Sequence, residues 1–296
     1  MTMSITLVSI NNINKALTEF AVNKSCENFN FDTTFVMSDE PLTGVRYYHN
    51  HHNIDDVIQF AGADGKPIPW NYDAYNIFLL KNIADHIETD HIINIHYDGF
   101  PVNRQYWSDE FLEYDYIGSP TFKDWTPLAN SLKSHDLYDK APNTWYNGGG
   151  GFTLRSKKLL KALQDPRIDT TLSDKNFERC EDATISIKFR KLLEDEYKIK
   201  FAPMDVSLKW CTELLTGLPY SFGFHGWTNI PLFLTEDECI WYIEYLNRRD
   251  MFQGSPMVQR YIAMCVIQYY YRAIDHINSV ISDQAKIEQK HKNYSR

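Results

Sequence analysis

What the sequence lacks narrows its role first. Its five cysteines, Cys26, Cys180, Cys211, Cys239 and Cys265, are odd in number, far apart and never spaced C-x-x-C, so they supply neither a zinc site nor a redox pair. They read as free thiols in a reducing compartment. There is no run of about 18 apolar residues, and the start, Met1 to Ile10, has neither a basic lead nor a small-residue cleavage site. The expectation is a cytoplasmic protein with no transmembrane anchor. No basic stripe is present: 30 Lys and Arg stand against 39 Asp and Glu, a net charge of −9, which argues against binding nucleic acid through its phosphates. Lys286, Lys290, Lys292 and Arg296 are interrupted by Glu288 and read as a solvated helix end. Neither G-K-[ST] nor a G-x-G-x-x-G in a first strand–helix turn occurs, which excludes a P-loop and a Rossmann dinucleotide site. No internal repeat or long linker appears.

What is there suits a globular α/β protein. The 296 residues are enough for one large domain with an appendage, and 19 Tyr and 17 Phe serve equally as core or as sugar-stacking surface. Ile5 to Ile10 is a β-branched apolar run, Ala16 to Ala21 has helical spacing, and Thr33 to Met37 is a second apolar run. Together they predict a parallel βαβ unit. Ligands of such units sit beyond the carboxyl ends of the strands, which puts Ser9, Asn11 and Asp39 at a binding crevice. Residues 44–72 read as variable connections, and His49, His51 and His52 beside Asp55 and Asp56 are loop-like. A helix is predicted over Tyr75 to Ile87, strands at His91 to His96 and Tyr116 to Pro120, and an active-site loop over Thr121 to Thr144. The four glycines before Phe152 read as a loop leading into a helix over Ser156 to Leu163. Another helix is predicted over Phe177 to Leu193, a late strand over Lys200 to Pro203 and a loop over Ser221 to Trp227. After Thr235 helical patterns dominate, so the expected organisation is an α/β domain, 1–234, followed by a helical accessory region, 235–296.

Four constellations carry candidate chemistry. His96-x-Asp98-Gly99 ends an apolar strand, where an acidic group can hold a divalent cation; Asp98 also reads as a turn former before glycine. Asn147-Gly-Gly-Gly-Gly-Phe152 lets backbone, at Gly149 and Gly150 especially, approach a sugar or phosphate, or makes a tight turn. Glu181-Asp182 at a helix start either complements the helix dipole or forms a general base with an orienting neighbour. In Phe222-Gly-Phe-His225-Gly-Trp227, His225 reads as a core histidine or as a second ligand to the cation. Trp227 or Phe224 offers a face to a sugar ring.

In order and spacing, Tyr75-Asn76, His96-Tyr-Asp98-Gly-Phe-Pro-Val-Asn103, Gly150-Gly-Phe-Thr-Leu-Arg-Ser156, Glu181-Asp182 and Phe222-Gly-Phe-His-Gly-Trp227 resemble a family of GT-A-like glycosyltransferases long catalogued as a domain of unknown function. The resemblance covers about Ile5 to Trp227. It implies a GT-A-like, Rossmann-like mixed sheet, mostly parallel and flanked by helices. It further implies Mn²⁺ or Mg²⁺ held by Asp98 and His225 with His96, and Asp182 as base with Glu181 beside it. Gly149 and Gly150 would belong to the sugar pocket. This sequence departs from the family at Gly149, where asparagine is expected, and at His96, which replaces the first acid of D-x-D. The expected reaction is inverting transfer from a nucleotide-diphosphate sugar to a hydroxyl of a glycan, lipid, protein or modified DNA, and a homo-oligomer through the helical end is the expected assembly. A nucleotidyltransferase and an inactive carbohydrate-binding or assembly protein are the competing readings.

Overall fold

The computed structural model describes residues 3–11, 14–38, 41–45, 51–53, 71–124, 126–134, 136–143, 145–169, 180–213, 220–247 and 256–294. They pack as two compact units, one through His225 and one from Gly226 onward.

The first unit is built on a six-stranded sheet in the order β3-β2-β1-β4-β7-β6. β1 (Ile5–Ile10), β2 (Thr33–Ser38) and β4 (His91–Ile95) run parallel, as the alternation of apolar runs and helical spacing predicts for β1 and β2, and β3 (His51–Asn53), expected as loop, instead pairs parallel to β2. Every residue of β1 and β4 is buried, the signature of a parallel strand covered on both faces. The helix Lys15–Asn28 connects β1 to β2, and the Asn14 side chain caps it by accepting from the Leu17 amide. Between them Val8, Phe35, Phe78, Leu79 and Ile92 form a continuous core cluster.

β7 (Trp145–Ser156) departs from the sequence expectation. The four glycines form no loop; they lie inside a twelve-residue strand, antiparallel to β4 on one side and to β6 (Tyr116–Phe122) on the other. Glycine weakens a strand, so a run of four is tolerated where close neighbours replace the lost side chains. Three smaller differences follow the same pattern of long-range pairing overriding local composition. The polar stretch after Thr121 holds the helix Thr126–Ser134. Gly223–His225, expected as loop, is a strand (β9), and Lys200 to Pro203 contributes only an isolated bridge from Phe201 to Tyr116.

A second sheet pairs β5 (Gly99–Pro101) antiparallel to β9, and β9 parallel to β8 (Cys211–Thr212). Beneath it lies an aromatic cluster. Trp210 stacks on Phe152 at 4.6 Å and meets Phe111 and Phe222 edge-on or tilted at 5.3 Å, and its indole N–H donates to the Phe152 carbonyl at 3.1 Å. The small sheet is thereby fixed to β7.

The second unit consists of a short turn, Trp227–Leu232, and the helices Glu236–Asn247, Pro256–Ile267 and Tyr271–Tyr294. Tyr242, Ile243, Leu246, Tyr261, Cys265, Ala273 and Ile277 are among its buried side chains. No described helix is long and apolar enough to cross a membrane.

Trp210→Ala removes the fully buried centre of the aromatic cluster. It should destabilise the protein by about 3–5 kcal/mol in urea unfolding, and a loss below about 1 kcal/mol would show that β7 and the small sheet are held by something else.

Candidate active site

Strand register brings distant residues together. β4 ends at Ile95, and His96 and Gly99 exchange backbone hydrogen bonds at 3.0 and 3.2 Å, closing a tight turn that carries Asp98. β5 leaves that turn and pairs with β9 so that Gly99 faces His225. His96, Asp98 and His225 thus converge, with one ligand atom from each lying within 4.8 Å of the others.

The partners of the two imidazoles decide which atoms face the cluster. Nδ1 of His225 lies 2.5 Å from Oε2 of Glu213, which follows β8 and so runs beside His225 at the end of the parallel β8–β9 pair. Nε2 of His225 lies over Gly151, where an added Cβ would stand 2.0 Å away. A carboxylate holding one imidazole nitrogen so that the other points to a cation is the usual support of a metal-ligating histidine. His96 engages Nε2 with the Tyr75 hydroxyl at 2.6 Å, leaving Nδ1 as the atom it offers.

The charges of the two histidines diverge. Burial pushes His96 down to about 4, overcoming the opposite pull of Asp98, so it is neutral at pH 7. Burial acts the same way on His225, but the charge and hydrogen bond of Glu213, with Asp98 and Asp182 adding to them, lift it to about 9. Two imidazoles and a carboxylate make a mixed nitrogen and oxygen donor set, which suits a first-row transition cation better than the all-oxygen preference of Mg²⁺.

Beside this cluster lies a cavity of about 350 Å³. Its lining includes Tyr72, Tyr75, Asn76, His96, Ser119, Phe122, Tyr146, Gly148 to Gly151, Glu181, Asp182, Ser186, Glu213 and His225. Two helices reach it through π-helical turns, a distortion that recurs at functional sites: Tyr72–Ile77 continues into Phe78–Asn82, and Glu181–Ala183 into Thr184–Lys188. Asn76 joins the two helices by accepting from the Glu181 amide at 2.8 Å.

The adjacent carboxylates have different surroundings. Glu181 is buried and pairs with the fully buried Arg155 of β7 at 2.5 Å. Asp182 accepts only from the neighbouring Ala183 amide among the described residues, at 2.7 Å. Burial and the adjacent Glu181 charge raise Asp182 to about 7, against the smaller pulls of the Ala183 amide and Arg155. A carboxyl poised there can exchange a proton at neutral pH. Both residues pack against Gly150, where a Cβ would approach Asp182 Cβ and Glu181 Oε2 to 2.9 Å.

Of the residues singled out from sequence, His96, Asp98 and His225 form the cluster, and Gly149, Gly150, Glu181 and Asp182 line the cavity. Ser9 is buried in β1, and Asn11 is tied by its side chain to Thr18 and Asn14; neither lines the cavity. Phe224 is core, packed on Phe100 at 4.8 Å, and Trp227 is buried in the second unit against Tyr261. Asp39 lies outside the described residues, as do His49, Asp55 and Asp56. Sequence reasoning assigned nothing to Glu213, Tyr75 or Arg155. Tyr75 and Arg155 stand within the quoted segments but gave no sign of their partners, and Glu213 carried no local signal.

A cation binding at His225 must displace its proton. Mn²⁺ affinity should therefore rise about tenfold per pH unit from pH 7 toward 9. In Glu213→Gln the proton is held less tightly, so this slope should flatten. Calorimetric titration at several pH values checks both, and a pH-independent affinity in the unmodified protein would remove His225 from the ligand set.

Among curated proteins none matches this sequence. Solved structures give distant similarity. A mycobacterial protein shares 10% identity over 53% of this chain and 54% of its own, with a TM-score of 0.38. Glucosyl-3-phosphoglycerate synthase from Mycobacterium tuberculosis is similar in two structures. The one with Mn²⁺, UDP and phosphoglyceric acid has 12% identity, covers 53% of this chain and 56% of its own, and has a TM-score of 0.38. The one with Mn²⁺, UDP and glucosyl-3-phosphoglycerate has 13% identity, 62% and 68% coverage, and a TM-score of 0.37. The chain thus spans about half the length of the first two structures. Residues 70–225, just over half of this chain, match a family described as a protein of unknown function, DUF5672, and the chain belongs to that family.

Proposed function

We propose that this protein is a metal-dependent glycosyltransferase, moving a sugar from a nucleotide-diphosphate sugar to an acceptor hydroxyl. The observation that carries this reading is the shared cavity: the His96–Asp98–His225 cluster borders it at one side, and Asp182, with a carboxyl poised near neutrality, lines it at another. Diphosphate departure needs compensation of negative charge, and acceptor attack needs a base; the arrangement offers a place for each.

His96, Asp98 and His225 would hold the cation, preferably Mn²⁺, with Glu213 fixing the His225 ring and Tyr75 the His96 ring. When bound, such a cation supplies positive charge against the donor diphosphate. The protein's own part centres on Asp182. In the transfer its carboxylate takes the proton of the acceptor hydroxyl, the hydroxyl oxygen bonds to the anomeric carbon, and the bond from that carbon to the diphosphate oxygen breaks. One displacement of this kind inverts the anomeric configuration. The charge of Glu181, held in place by Arg155, keeps the Asp182 proton affinity high, and Arg155 offsets only part of that effect. The open face of Gly150 leaves room for these carboxylates beside the strand.

Incubation with Mn²⁺ and a panel of nucleotide sugars should release UDP or GDP; release of pyrophosphate instead would identify a nucleotidyltransferase. The rate should rise with pH through about 7 as Asp182 loses its proton. Asp182→Asn should lower turnover by about 10²–10⁴-fold with donor affinity nearly unchanged. Asp98→Ala should abolish Mn²⁺-dependent donor binding without unfolding the protein. Near-normal transfer by a folded Asp182→Asn protein would remove Asp182 as the base.

A further inference from the structure

The cavity's charge and surface restrict what can enter it. Among its described lining residues there is no lysine or arginine, whereas Glu181, Asp182 and Glu213 are all present. Glu181 is matched by Arg155 and Glu213 by His225, but Asp182 has no cationic partner of this kind among the described residues. An anionic group brought against Asp182 would lose hydration and meet like charge, with the nearby cations Arg155 and His225 already engaged by Glu181 and Glu213.

The remaining wall favours a different ligand. Tyr72, Phe122 and Tyr146 contribute aromatic surface, with Tyr72 57% exposed despite its size and stacked on Tyr75 at an interplanar angle of 20°. Faces of this kind suit the C–H surface of a sugar ring. Ser119 supplies an independent sign of a missing partner. It lines the same cavity and is fully buried, yet its hydroxyl makes no hydrogen bond. A buried hydroxyl without a partner is costly, and a ligand hydroxyl would satisfy it.

The geometry points to an uncharged, polyhydroxylated ring, a neutral glycosyl or polyol unit, as the acceptor, with phosphorylated and carboxylated acceptors excluded. The word acceptor rests on the transferase reading, while the ligand class stands on the cavity alone. The probes are paired: neutral methyl glycosides of common hexoses and the corresponding hexose 6-phosphates, tested by saturation-transfer NMR on the full chain with Mn²⁺ and UDP.

At least one neutral glycoside should bind, with its phosphorylated counterpart at least about tenfold weaker. Tyr72→Ala should weaken the neutral probe. Thr121→Lys, which adds a cation to the cavity wall, should raise affinity for the hexose 6-phosphate by about tenfold. Circular dichroism confirms that each variant is folded. Equal or tighter binding of the phosphorylated probes to the unmodified protein, or failure of every neutral glycoside to bind at millimolar concentration, overturns the inference. Neutral-glycoside binding without release of UDP or GDP from any nucleotide sugar would keep the ligand class and defeat the transferase reading. Turnover only with phosphorylated acceptors would do the reverse.

Discussion

A Cβ at Gly151 would stand 2.0 Å from Nε2 of His225, and one at Gly150 would stand 2.9 Å from Asp182 Cβ and from Glu181 Oε2. The site depends on this bare stretch of β7. With no side chains there, a late strand can lay an imidazole against the backbone from one direction and a helix start can lay two carboxylates against it from another. The cost is a strand with little intrinsic preference for its conformation, and the neighbours supply what the glycines do not. β6 pairs with the run along one edge, the His96 amide donates to the Gly151 carbonyl at the other, and Trp210 stacks on Phe152 immediately after the run.

The electrostatic design follows from that packing. Two of the site's charges have a counterpart: Arg155 of β7 answers Glu181, and Glu213 answers His225 in the small sheet. Asp182 is left as the carboxyl whose proton is held by burial and by the adjacent charge. With His96 neutral and His225 cationic beside Asp98, a cation can enter with loss of a single proton from the cluster's histidines.

Much of the α/β frame was legible because its signals are local. The β-branched run of β1, the apolar run of β4 and the helical spacing of Ala16 to Ala21 each declare themselves within a few residues. β7 was misread because glycine signals a turn by composition, and these glycines are a strand because they pair with β6 and continue into the segment from Phe152 that pairs with β4. β9 was missed for the same reason, since its partners lie at Gly99–Pro101 and Cys211–Thr212. The sequence directed attention to His96, Asp98 and His225 by residue type and motif, but their convergence depends on the Gly99–His225 register. Glu213 was invisible because its role comes from lying alongside His225 in space. Phe224, an exposed sugar platform by motif, faces Phe100 because strand alternation turns it inward.

The central claim is that one cation binds among His96, Asp98 and His225 beside the carboxylate-lined cavity. Anomalous diffraction at the manganese edge, from crystals grown with Mn²⁺ and UDP, addresses it most directly. A strong peak within coordinating distance of all three side chains is the predicted result. A manganese peak held elsewhere, with these three side chains uncoordinated, would contradict it.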